Sequence, residues 1–209
     1  MKNYLTEFIG TLFLVLTTGL VLGSGTILAP IAIGSVLMAL VYMGGHISGA
    51  HYNPAVTLAV FVRGKIDLKE GGLYWLSQIL GAVVGAVLVK VLVQDESFVF
   101  SVEPPNSASV VQALLVEILF TFAWALVYLN VFSAKGTALN SFYGLAIGFT
   151  VLAGVFAGGP ISGGAFNPAT GIGPNLLSQN FFPIWIYLVG PLLGGGLAGL
   201  VFKTQNPEE

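Results

Sequence analysis

With 209 residues, 56% of them hydrophobic and only 8% charged, the chain is far more apolar than a soluble domain, which carries about 25% charged residues. A mean hydropathy of +0.91 and 28 glycines fit one compact all-α membrane domain of several spans. The net charge of −2 argues against a nucleic-acid partner, and the absence of cysteine excludes disulfides, thiolate metal sites and a cysteine nucleophile.

In chain order, the first apolar stretch is Tyr4–Leu22, which reads as a retained first span and not as a cleaved leader. Pro30–Gly45 follows, then Leu73–Val93, Val110–Phe132, Phe142–Ala157 and Phe181–Phe202. Each is about one span long. The breaks between them carry turn-forming residues: Gly23-Ser24-Gly25, Arg63 to Gly72, Gln94 to Ser109, Ser133 to Asn140, and Gly158 to Asn167. Thr204–Glu209 reads as a frayed tail.

Two of the breaks contain the same tripeptide, Asn53-Pro54-Ala55 and Asn167-Pro168-Ala169. Asn is a preferred N-cap, and proline loses nothing at the first helical position, so each copy marks a loop entering a helix. The first of these helices is predicted to run from Pro54 to about Arg63, where Arg and then Gly64 suit a C-terminus. At about 1.5 Å per residue it reaches only about half of a ~30 Å hydrocarbon core. Two such half-helices meeting N-terminus to N-terminus span one membrane, with their positive dipole ends near the middle.

Lys2, Arg63, Lys65, Lys69, Lys135 and Lys203 fall on one side of a six-span arrangement, whereas Lys90 lies opposite with Asp95, Glu96 and Glu103. The positive-inside rule then makes both termini cytoplasmic. The halves also repeat, LTEFIGTLFLV around Glu7 against LVEILFTFAWA around Glu117, and with three spans each the second half inserts upside down. Gly81, Gly85, Gly194, Gly195, Gly196 and Gly199 allow close helix approach.

TEFIGTLF, GGHISGAHYNPAVTLAV, the Gln78 span, GGAFNPATGIGP and the GP-LLGG of the last span together resemble the aquaporin (major intrinsic protein) family over nearly the whole chain. The resemblance implies a right-handed bundle of six tilted helices plus two re-entrant half-helices, usually a homotetramer with one pore per subunit. It implies no cofactor, and the partners are water, small neutral solutes and the lipid bilayer. A plasma membrane, the inner membrane of a cell, is the expected location.

Asn53 and Asn167 would each present an amide to a single file of water at the channel midpoint. The positive ends of the half-helix dipoles repel cations there. The loops Gly49-Ala50-His51-Tyr52 and Ser162-Gly163-Gly164-Ala165-Phe166 are expected to be extended and to line the path with carbonyls, because non-helical backbone at membrane depth persists only beside a cavity. Glu7 and Glu117 are acids within apolar spans, where charge is costly; by resemblance they brace the loops instead of relaying protons. His46 is expected to add a hydrogen bond that shapes its loop and His51 a carbonyl, since two histidines on a loop fall short of a metal ligand set. No nucleophile–base pair and no phosphate loop appears, so no enzyme is expected.

The outer filter, placed by alignment to the family motifs, comprises Ile33, Val155, Gly164 and Thr170. Family members usually carry Arg where this chain has Thr170. Water-selective members usually put an aromatic and a His at the first two places, and glycerol-conducting members keep the Arg and commonly follow it with Asp, where Gly171 stands here. The expectation is an uncharged neck that passes water and small uncharged solutes such as glycerol, urea, ammonia or metalloid acids. The alternatives are a water-only channel, a secondary transporter and a structural membrane protein of the same fold.

Overall fold

The computed structural model describes residues 1–95 and 97–208; Glu96, assigned above to the acidic side, and Glu209 of the tail lie outside the described residues. The helices are α1 (Lys2–Gly23), α2 (Ala29–Ser48), α3 (Pro54–Arg63), α4 (Leu68–Leu92), α5 (Val110–Tyr128), α6 (Tyr143–Ser162), α7 (Pro168–Ser178) and α8 (Ile184–Gln205). Six of them are long and apolar enough to cross a membrane. The half-helices are α3 and α7, and no strand occurs among the described residues.

Local chemistry explains most boundaries. Asp67 caps α4 by accepting from the Glu70 N–H at 2.8 Å, so α4 starts before the apolar run that marks it in the sequence. Ser109 and Gln112 form a reciprocal capping box at the start of α5. At its far end α5 loosens into a π-helical turn, Leu129–Ser133, which hydrophobicity does not reveal. Helix α2 runs on through Gly44 and Gly45 to Ser48, and α6 through Gly158, Gly159 and Pro160 to Ser162. Both break points predicted at glycines therefore fall inside helices; a Cβ on Gly45 would lie 3.0 Å from Phe132 and one on Gly158 2.7 Å from Val116, so the chain packs closely at both.

The packing repeats between halves. Helix α1 lies on α4 and α2 as α5 lies on α8 and α6, while α3 packs on α8 and α7 on α4. Each half-helix thus leans on the last span of the other half. Gly81 and Gly194 show why the spans need small residues: a Cβ on Gly81 would lie 2.4 Å from the Phe8 carbonyl, and one on Gly194 would lie 2.4 Å from the Ile118 carbonyl. Gly196 is different, its nearest neighbour being Leu58 at 3.8 Å, so no close approach depends on it.

The basic residues other than Lys90 gather at one end of the bundle. Arg63 donates to the Ser133 carbonyl (2.7 Å), Lys135 to the Glu208 carbonyl (2.9 Å), and Asn3 to Glu70 (3.5 Å). Leu5, Phe13, Leu80, Leu119, Phe149 and Leu200 are exposed around the circumference, the surface a bilayer covers.

Candidate functional site

Helix α3 begins at Asn53 and α7 at Asn167, and both asparagines are buried in extended backbone. Asn53 Oδ1 accepts from the Ala55 N–H at 2.8 Å and Asn167 Oδ1 from the Ala169 N–H at 2.9 Å. The other side of each amide crosses to the opposite loop. Asn53 Nδ2 donates to the Phe166 carbonyl (2.9 Å) and Asn167 Nδ2 to the Tyr52 carbonyl (2.8 Å). An amide nitrogen carries two N–H groups, so each Asn keeps one without a protein partner among the described residues. The two helix starts are clamped together, and their spare donors and dipole ends share one place.

The loops before them are not extended throughout. Gly49 and Gly163 sit at φ 88° and 87° and end α2 and α6. Ala50 (φ 53°), Tyr52 (φ 47°) and Phe166 (φ 48°) take left-handed backbone, which is costly for residues with a Cβ. Buried carboxylates supply the compensation. Glu7 Oε1 accepts from Ser48 Oγ (2.7 Å) and the His51 N–H (2.9 Å), and Oε2 from the Tyr52 N–H (2.7 Å) and Gln78 Nε2 (2.8 Å). Glu117 Oε1 accepts from Ser162 Oγ (2.8 Å) and the Ala165 N–H (3.1 Å), and Oε2 from the Phe166 N–H (2.7 Å). Tyr74 donates to the Ser48 carbonyl at 2.8 Å, Tyr187 likewise to the Ser162 carbonyl, and Tyr128 to the Gly49 carbonyl at 2.7 Å.

His46 takes no part in this. It lies on the outward face of α2, exposed, and makes no hydrogen bond among the described residues. Ser48, two positions on, points inward and does what was expected of His46. The short spacing in sequence hides that helical turn. His51, expected to matter through its carbonyl, is a side-chain participant. Its Nδ1 lies 3.0 Å from Thr57 Oγ1, which also accepts from Gln78 Nε2 (3.1 Å) and donates to the Asn53 carbonyl (3.1 Å). With the Thr57 hydrogen on that carbonyl, Nδ1 carries the ring proton and Nε2 keeps its lone pair. The ring is held between Tyr74 and Tyr128, at 5.0 and 5.6 Å between centroids.

Of the four positions expected to form the filter, Ile33 on α2 and Val155 on α6 join Phe166 in one apolar cluster. Gly164 comes close to the turn after Val155, since a Cβ there would lie 3.1 Å from the Gly159 Cα. Thr170, in the first turn of α7, is buried beside Ala169, and its hydroxyl bonds to no protein group among the described residues. Sequence reasoning missed Asn175, whose amide clasps both backbone groups of Val102, accepting from its N–H and donating to its carbonyl at 2.8 Å each. This ties the loop after α4 to α7 and lays Phe100 and Val102 against Ala165, Ala169 and Tyr187. The sequence carries no distinct signal for it, since α7 also holds Thr170 and Ser178 and a polar residue there does not stand out.

A profile described as "Major intrinsic protein" matches residues 1–202. A probable aquaporin, TIP2-2, of Oryza sativa subsp. japonica is 38% identical over 97% of this chain and 86% of its own length. Aquaporin TIP1-1 of Arabidopsis thaliana is 36% identical over 98% and 86%. Among solved structures, the aquaglyceroporin from Plasmodium falciparum superposes with a TM-score of 0.84 at 24% identity, over 96% of this chain and 94% of that one, which bears on the fold. Six spans, two opposed Asn-capped half-helices and these likenesses converge: the chain belongs to the major intrinsic protein family, the non-enzymatic aquaporin channels.

Proposed function

We propose that the channel is a passive pore for water and small uncharged solutes, with its centre at Asn53 and Asn167 and its neck at Ile33, Val155, Gly164 and Thr170. The observation that carries this reading is the reciprocal clamp of the two asparagines, each left with one unpartnered N–H where two helix dipoles converge. A water at that point accepts from both amides, which breaks a continuous proton wire. Carbonyls of Gly49, Ala50, His51, Tyr52, Gly163 and Ala165 offer acceptors on either side; Glu7 and Glu117, through the adjoining N–H groups, fix those of Ala50, His51 and Ala165, while Tyr128 and Asn167 hold those of Gly49 and Tyr52.

The neck is the unusual part. Thr170 brings no fixed cation and little bulk, Val155 is apolar, and Gly164 has no side chain. Such a neck admits neutral solutes larger than water, with cation exclusion resting on dipole ends of about half a charge each. A water-only channel is the rival, favoured by the burial of Ile33 at the neck. The basic end faces the cytosol by the positive-inside rule, in a plasma or an internal membrane alike. The subunits are proposed to assemble as a homotetramer, each with its own pore.

Stopped-flow light scattering on proteoliposomes tests both readings. Water permeability above that of empty vesicles, without an ion gradient, is the expected result. Folded protein that leaves every neutral solute at the empty-vesicle rate overturns the channel assignment. Thr170→Arg should cut glycerol or urea flux more than water flux. Equal loss of all fluxes, or no solute flux in the parent, establishes the rival.

A further inference from the structure

The internal repeat leaves one junction where the two ends of the bundle do not match. At the basic end Arg63 closes the seam between α3 and α8, its guanidinium 4.8 Å from the centre of the Phe202 ring and bonded to the Ser133 carbonyl at 2.7 Å. The same step along the half-helix from Asn167 leads to Leu177, and the same step from Gly81 as from Gly194 leads to Val89. Leu177 and Val89 are smaller and uncharged, and a half-open cavity of about 620 Å³ lies there between the end of α4, the chain that follows it and Leu177 of α7. That volume is in the range of sites holding ligands of several hundred daltons.

Most of the cavity wall is apolar, formed by Ala86, Val89, Val93, Phe98, Phe100 and Leu177, while Lys90, Gln94 and Asp95 are its polar lining residues. Lys90 is in the last turn of α4, exposed and without an ion pair among the described residues. A lysine at a span's end reaches headgroup depth. Asp95 Oδ1 accepts from the Ser97 N–H (2.9 Å) and Oγ (2.6 Å), which fixes the carboxylate at the cavity rim. The Ser97 hydroxyl, ahead of its N–H, holds that carboxyl below the usual range. Val99, an exposed apolar residue, also lines the cavity.

We propose that this cavity holds one zwitterionic glycerophospholipid of the non-cytoplasmic leaflet, its phosphate on Lys90, its ammonium on Asp95 and an acyl chain along Val89, Phe98, Phe100 and Leu177. A purely anionic head satisfies Lys90 but sets a negative charge beside Asp95, which is why the paired charges select a zwitterion. The site backs onto the proposed neck. Phe100 continues to Val102, which Asn175 clasps and which packs on Ala165 and Ala169 beside Thr170. A lipid tail in the cavity therefore supports the wall on which the neck is built.

The site stands apart from the pore, so its failure leaves the channel reading untouched. Purified full-length protein is incubated with equimolar phosphatidylethanolamine, phosphatidylglycerol and diacylglycerol of identical chains, and retained lipid is read by native mass spectrometry. Phosphatidylethanolamine should be retained preferentially, about one per chain. Lys90→Gln should lower its retention about fivefold, the effect of one basic residue at a headgroup. Asp95→Asn should reduce its advantage over phosphatidylglycerol, and Val99→Trp should fill the cavity and abolish retention with the fold intact by circular dichroism. Equal retention of phosphatidylglycerol by the parent overturns the proposal, as does retention unchanged in both Lys90→Gln and Val99→Trp.

Discussion

The two loop-and-half-helix units share a frame but differ in what fills it. Both have a buried Glu gripping two backbone N–H groups and a serine, a tyrosine on that serine's carbonyl, and an Asn cap reaching across to the other loop. Around the first unit the additions are polar. Gln78 joins Glu7, His51 and Thr57 link to it, and the Tyr52 hydroxyl donates to the Leu40 carbonyl at 3.0 Å. Around the second loop they are apolar or absent, the polar addition to that unit being the Asn175 clasp on Val102 farther along α7. Ala165 stands for His51, Gly171 for Thr57 and Pro191 for Gln78, while Phe166 replaces Tyr52 and rests on Phe120 with centroids 5.3 Å apart.

The shared set is therefore sufficient to hold a left-handed loop at membrane depth, and the rest is local tuning. Because the second loop depends on so few side chains, residues beside it, such as those of the proposed neck, are freer to vary without undoing the scaffold. The same economy explains the open seam at Leu177, where the first unit has Arg63.

The largest effects should come from removing the carboxylates. Glu7→Ala strands four buried donors and Glu117→Ala three, each costing about 1–3 kcal/mol when left unpaired. Against a total stability of about 5–15 kcal/mol, both variants should accumulate poorly, Glu7→Ala more so. Detergent-solubilised yield and melting temperature by size-exclusion fluorescence give the comparison. A Glu117→Ala protein less stable than Glu7→Ala shows that the second loop is not the leaner one.

Much of this frame is legible in the sequence because it depends on local rules. Pro54–Arg63 follows from an Asn cap, a proline at the first position and Arg-Gly at the end, and the structure has those limits. The six spans follow from apolar length. What stayed hidden depends on contacts between distant residues or on a helical phase. Ser48 and Ser162 look like loop residues, yet both are last turns aimed at carboxylates. The left-handed Ala50, Tyr52 and Phe166 contradict residue preference and persist only because Glu7 and Glu117 fix their neighbourhood. The clasp of Asn175 on Val102 joins segments far apart in the chain, and no pattern announces it.

Asn53→Ala and Asn167→Ala sharpen the comparison at the centre, where the units are most alike. Each loses a cap worth about 1 kcal/mol and strands one carbonyl on the opposite loop, Phe166 or Tyr52. The two variants should melt at nearly the same temperature, a few degrees below the parent, with reduced water flux in proteoliposomes. A large difference between them means that the clamp is not reciprocal in energy.

Gln78→Leu converts the first unit toward the second. It removes a hydrogen bond to a carboxylate, worth about 1.5–3 kcal/mol, but it also removes Gln78 Oε1, a buried acceptor with no protein partner among the described residues. The opposing terms leave a net loss of about 1 kcal/mol, seen as a small drop in melting temperature with flux retained. A collapse as severe as that of Glu7→Ala makes Gln78 part of the essential frame.

The finest distinction lies in a threonine one turn beyond each glutamate. Thr11 Oγ1 donates to the Glu7 carbonyl at 2.8 Å, whereas the equivalent hydroxyl on Thr121 is buried with no protein partner among the described residues. Valine matches threonine in shape and lacks the hydroxyl. Thr11→Val should therefore cost about 0.5–1.5 kcal/mol, the net worth of an ordinary hydrogen bond. Thr121→Val, which relieves an unpaired buried polar group, should be neutral or stabilising by up to about 1 kcal/mol. Paired thermal melts of the two variants decide it. If Thr121→Val is the more damaging, that hydroxyl works for the second loop, and the second unit is less sparing in polar contacts than its frame suggests.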